Sequence, residues 1–132
     1  MNLAAVIQSM RVPFLLLTPV CVFLGASTVA TSETNTSLLL LVLLGALLAH
    51  ISVNALNEYS DFKSGLDLAT TRTPFSGGSG ALPGNPEMSA AVLVVGAASL
   101  MATLVIGGYF VWEYGTDILP IGVAGLILIV TY

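Results

Sequence analysis

The chain is short of charge. It carries three Lys or Arg and seven Asp or Glu in 132 residues, 8% in all, where a soluble domain carries roughly 25%. So few charges leave too little polar surface to cover a globule in water, and 56% of the residues are hydrophobic. With a mean hydropathy of +0.98, the chain is expected to have lipid as its solvent. Bases are the scarcer sign. They form no patch, which argues against a nucleic-acid partner, and the net charge of −4 reflects a few acids in an uncharged background. The one cysteine, Cys21, excludes an internal disulfide. Lying in an apolar run, it reads as a buried, inert thiol.

What is present is apolar sequence in long stretches, at residues 13–30, 38–56 and 90–112, and from 118 to Tyr132. A spanning helix needs about 20 apolar residues. The first three stretches meet that length and the fourth is still apolar at Tyr132. The expected fold is therefore an all-α, polytopic membrane helical bundle with about four spans. A cleaved signal peptide is disfavoured by the length of the first stretch and by the spans that follow. Pro13 suits a first helical turn, and Pro19 is expected to kink the first span. Arg11, Lys63 and Arg72 fall on one side if the spans alternate. The positive-inside rule then places the N-terminus and the polar segment 57–89 in the cytoplasm, with the chain in the cell (inner) membrane. Tyr109, Phe110, Trp112 and Tyr114 would form an aromatic belt at the opposite interface. Asn35-Thr36-Ser37 has the form of a glycosylation acceptor, a triplet common by chance, and is given no weight.

Chemistry-bearing residues gather where the second stretch ends. If that helix continues past its apolar part, Asn54, Asn57, Glu58 and Asp61 share one face, because three- and four-residue steps return to the same side. Gly65 suits a left-handed helix end. Asp67 lies off that face and must swing back through the turn to join it, while Lys63 points away and reads as a snorkelling or topogenic charge. An acid at the bilayer centre costs about 2.5–3.5 kcal/mol on insertion scales, so acids at a membrane helix end call for an offset. A hard cation such as Mg²⁺ provides one, because it prefers carboxylate oxygens and shares its shell with water and phosphate. The plain alternative is a solvated polar helix end. His50, one turn before Asn54, reads either as a core histidine or as a group facing a substrate. Gly77, Gly78 and Gly80 read as turn residues, and no Walker pattern follows them. Asn85-Pro86-Glu87 reads as a helix start with Asn85 as its cap.

These residues resemble the UbiA superfamily of membrane prenyltransferases. In the branch that prenylates 1,4-dihydroxy-2-naphthoate for menaquinone biosynthesis, the second helix ends in a pattern close to N-x-x-N-D-Y-x-D-x-x-x-G-x-D. Here it stands as Asn54, Asn57, Glu58, Tyr59, Asp61, Gly65 and Asp67, with Glu58 in place of the usual Asp. Arg11, Pro13, Thr18, Pro19 and Gly25 look like the family's first helix, and residues 73–80 like the loop after the motif in some members. The resemblance implies a quinone-biosynthesis transferase that moves a polyprenyl group from its diphosphate to an aromatic acceptor. It implies Mg²⁺ held by Glu58, Asp61 and Asp67, catalysis centred on Asp61 and Glu58, and substrate contacts from Asn54, Asn57 and Arg72.

It also implies a bundle of about nine spans with a second acidic motif. From Met88 onward the acids are Glu113 and Asp117, expected at the opposite membrane face. Residues 1–132 are thus expected to form the N-terminal part of the domain and to be inactive alone. A CDP-alcohol phosphotransferase is disfavoured because its D-G-x-x-A-R signature is absent. A small transporter or scaffold, whose acids bind an ion or set topology, is the other reading, although transporter sites usually sit near the midplane on broken helices.

Overall fold

The computed structural model describes residues 2–30, 34–71 and 78–132. Among them there are helices and turns and no strand, as expected for a chain that must satisfy its backbone within lipid. The chain enters through α1 (Leu3–Ser9), α2 (Val12–Leu15) and α3 (Leu17–Ala26). Proline sets both interruptions. A proline clashes with the carbonyl four residues earlier, which for Pro13 is Ser9, where α1 ends, and for Pro19 is Leu15, where α2 ends. The expected kink is therefore displaced. The larger bend, 45°, lies between Leu3–Ser9 and Val12–Ala26, at the break that Pro13 accounts for. Arg11 fills that break at φ 52° and ψ 51°, a left-handed conformation that L-residues seldom adopt.

The long helix α4 (Thr36–Ser64) starts at Asn35, whose Oδ1 accepts from Ser37 N at 3.0 Å and Leu38 N at 3.2 Å. The triplet that resembled a glycosylation acceptor is thus a helix cap. Asn35→Ala is expected to destabilise the fold by about 1 kcal/mol, read as a lower midpoint in denaturant titration in detergent. As the sequence suggested, α4 ends at Gly65 in a left-handed conformation (φ 81°). A single turn, α5 (Leu66–Ala69), follows. After the segment 72–77 comes another turn, α6 (Ala81–Gly84), and then α7 (Ser89–Tyr114) and α8 (Leu119–Thr131). The helical run starts at Pro86 as expected, but its capping differs. Pro86–Met88 forms a 3₁₀ turn, and Asn85 does not cap it. Its amide donates to Ala81 O at 3.0 Å and its oxygen accepts from Asn2 Nδ2 at 2.7 Å.

Two helices, Thr36–Ser64 and Pro86–Tyr114, are long and apolar enough to cross a membrane, and the bent pair 3–26 makes a third if counted as one span. The segment Thr116–Thr131 is apolar but shorter. The first and fourth expected spans are thus a bent pair and a shorter helix. α4 and α7 form the main antiparallel contact, with Leu56 beside Gly96 and Gly45 beside Ile106. The core lies at one end, where Ala5, Val6, Ala55, Ala81, Leu82, Met88 and Val92 are buried together. Elsewhere large apolar side chains face outward, among them Ile121 at 81% exposure and Val105 at 69%, a surface suited to lipid. Cys21, expected buried, is exposed. The inward stripe of the first span runs through Leu15, Thr18, Val22 and Ala26, and Cys21 lies off it. At the far end of α7, Phe110 stacks on Tyr114 and meets Tyr109 edge-on, while Trp112 is exposed. This arrangement suits interfacial anchoring.

Candidate functional site at the polar end of α4

His50, Asn54, Asn57, Glu58 and Asp61 lie on one face of α4, and the first four reach a different element. His50 Nδ1 stands 2.8 Å from Thr18 Oγ1 on α3. One turn on, Asn54 Nδ2 donates to Met10 O at 2.9 Å, holding the carbonyl beside the break at Arg11. Asn57 Nδ2 donates to Tyr132 O at 3.2 Å, just past α8. Between apolar helices such bonds are worth about 0.6–2 kcal/mol each. They align the polar face by tying it to three parts of the chain.

Glu58 is 1% exposed, and both oxygens of its carboxylate accept hydrogen bonds. Oε2 accepts from Ser79 N at 2.9 Å, and Oε1 accepts from Ser79 Oγ at 2.8 Å and Ala81 N at 3.1 Å, with Leu82 N further out at 3.5 Å. Asp67 lies against Gly78, the residue before Ser79. It is buried, and a Cβ added to Gly78 would collide with its carboxylate. Gly78 and Gly80 hold positive φ, 74° and 78°, so the chain can turn tightly past both acids. Asp61 differs from these two. It is half-buried, and among the described residues nothing hydrogen-bonds or pairs with its carboxylate. Lys63 points away from the acids, its Nζ 5.6 Å from the centroid of the Tyr59 ring. Arg72 lies outside the described residues.

The structure thus brings Glu58 and Asp67 to one short strap, Gly78–Leu82, and leaves Asp61 open on the adjoining turn. No group of three or more His, Cys, Asp or Glu placed to hold a metal ion occurs among the described residues. Alongside runs an open cavity of about 750 Å³ between α4 and α8, walled by Val53, Leu128 and Ile129, with His50, Asn54 and Tyr132 as its polar margin. Sequence reasoning missed Ser79, Gln8 and Thr18, all of which hold this end together. Ser79 sits between two glycines and Gln8 is an exposed residue near the end of α1, so neither carried a signal. Thr18 beside Pro19 carried only a weak one. Comparison with protein-family models, curated proteins and solved structures finds no match for this chain.

Proposed function

We propose that this chain supplies the metal-and-diphosphate end of a membrane-embedded prenyltransferase, which moves a polyprenyl group from its diphosphate to an aromatic acceptor such as 1,4-dihydroxy-2-naphthoate. One observation carries the reading. An open carboxylate, Asp61, stands one turn beyond Asn57, on the same face of α4 as His50 and Asn54, which border an apolar cavity. With a divalent cation on Asp61, a molecule with an anionic head and a hydrocarbon tail would match both halves of that arrangement. The Asn54–Asp67 pattern supports the same reading through its resemblance to the UbiA superfamily. In this reading the N-terminus and the acid end face the cytoplasm, where Arg11 and Lys63 favour them.

The residues fit a divalent cation in part. Asp61 offers hard oxygen donors with no competing partner among the described residues, and Asp67 is the neighbouring carboxylate at this end. Mg²⁺ is usually held by one or two carboxylates, with water and substrate phosphate completing its shell. Glu58 fits less well as a direct ligand than Asp61, because both of its oxygens already accept hydrogen bonds from the strap. When bound, the metal would supply charge neutralisation for the departing diphosphate. The chain's own residues do the rest. Asp61 would hold the cation, the walls formed by Val53, Leu128 and Ile129 keep water from the tail, and His50 and Asn54 orient the acceptor's hydroxyls from the cavity margin.

The test is binding of a non-hydrolysable prenyl diphosphate analogue to the full-length protein in detergent, with and without Mg²⁺. Saturable binding that requires Mg²⁺ is expected. A second reading is favoured by the hydrogen bonds from His50, Asn54, Asn57 and Glu58 to other elements, which suit a small transporter or scaffold whose polar stripe serves assembly. A folded protein indifferent to both metal and analogue would overturn prenyl transfer in favour of that second reading.

A further inference from the structure

We infer that Glu58 is a positioning residue, one that fastens the strap Ser79–Leu82 to α4 and leaves cation binding to Asp61. The inference of where the cation binds rests on the prenyl-transfer reading; the fastening role stands on geometry alone. Burying a carboxylate without compensation is costly. Here the compensation comes from two backbone N–H groups and one hydroxyl within 3.1 Å, charge-assisted bonds of the stronger kind. The strap in turn carries two residues of the core, Ala81 and Leu82, both fully buried. It also reaches the first helix, since Gln8 Nε2 donates to Ser79 O at 2.7 Å. Glu58 is thus the polar centre at which α1, α4 and α6 meet.

Side-chain length explains why a glutamate stands here. Aspartate is shorter by one C–C bond, about 1.5 Å, and from the same backbone position would withdraw its oxygens from Ser79 and Ala81. A residue selected only to hold a cation has no such need for length, and a carboxylate whose two oxygens are both held by N–H and O–H donors of the strap is aimed at the strap.

The experiment compares wild type, Glu58→Asp, Glu58→Gln and Ser79→Ala in the full-length protein, using amide hydrogen exchange across the strap and Mn²⁺ titration as a spectroscopic proxy for Mg²⁺. Exchange at Ser79–Leu82 should quicken at least tenfold in Glu58→Asp and severalfold in Ser79→Ala, while Mn²⁺ affinity stays within about threefold of wild type in every variant. Ser79→Ala removes one donor from outside the acid motif and decides the matter if the Glu58 variants do not fold. Unchanged exchange at the strap overturns the inference. So does a tenfold or greater loss of Mn²⁺ affinity in Glu58→Gln with the strap still protected. If wild type binds no Mn²⁺, prenyl transfer fails as the function, and the exchange data alone decide the role of Glu58.

Discussion

Asp61→Asn is expected to abolish Mg²⁺-dependent binding of a prenyl diphosphate analogue, lowering affinity by on the order of 10²-fold or more. A unit charge about 4 Å from another is worth about 4 kcal/mol at an effective dielectric of 20. A divalent cation doubles that attraction and water at a half-buried site reduces it. The amide keeps the shape and loses the charge. Because Asp61 is half-buried and has no partner among the described residues, its replacement should leave the fold intact, with stability within about 0.5 kcal/mol of wild type. That separation makes the variant informative. Equilibrium binding of a labelled analogue across a Mg²⁺ series reads the first quantity and denaturant titration the second. Wild-type affinity in Asp61→Asn, with Mg²⁺ dependence retained, would remove Asp61 from the site and with it the main support for prenyl transfer.

The acid end shows where sequence reasoning has reach. The common face of Asn54, Asn57, Glu58 and Asp61 follows from helical periodicity alone, and so does the stop at Gly65, because both depend on residues a few positions apart. What those side chains touch depends on distant parts of the chain. Met10, Ser79 and Tyr132 receive or supply the bonds of Asn54, Glu58 and Asn57 across separations of 44, 21 and 75 residues, and no local pattern announces them. For the same reason Glu58 reads as a metal ligand in the sequence and as a fastening in the structure. Asn35 illustrates a different limit. Its role is local and legible in principle, since an Asn before an apolar helix is a strong cap signal, although the same triplet also has the form of a glycosylation acceptor. The bend near Arg11 was legible too, from the rule that a proline disturbs the carbonyl four residues before it. Applied to Pro13, the rule points to Ser9. Cys21 was misjudged because apolar surroundings in a lipid-facing helix do not imply burial within the protein.

Gly96→Leu is expected to disrupt the α4–α7 pair and with it the placement of every residue at the acid end. Without a hydrophobic driving force between helices in lipid, association depends on close packing, for which small residues are used. At Gly96 the space is already taken. An added Cβ would lie 2.9 Å from both Cγ and Cδ2 of Leu56 and 3.2 Å from the Leu56 backbone nitrogen. A rotamer change can move Cδ2, but Cγ follows only with difficulty and the backbone nitrogen only if the helices separate. Even Gly96→Ala should therefore cost about 1–3 kcal/mol, and leucine more. Gly45 gives a graded control. There the nearest atom to an added Cβ is Ile106 Cγ2 at 3.1 Å, a side-chain methyl that can shift, so Gly45→Ala should cost less than Gly96→Ala. The double variant Gly96→Ala with Leu56→Ala removes the Cγ and Cδ2 conflicts and keeps the backbone one. It should recover part, but not all, of what the two single variants lose when taken independently. Unfolding midpoints in detergent order the series, and amide exchange along α4 reports whether the helices have parted. A Gly96→Leu variant as stable as wild type would mean that α4 and α7 do not approach as closely as described. The alignment of Glu58 with the strap would then need another support, because Leu56 lies two residues before Glu58 on the same helix.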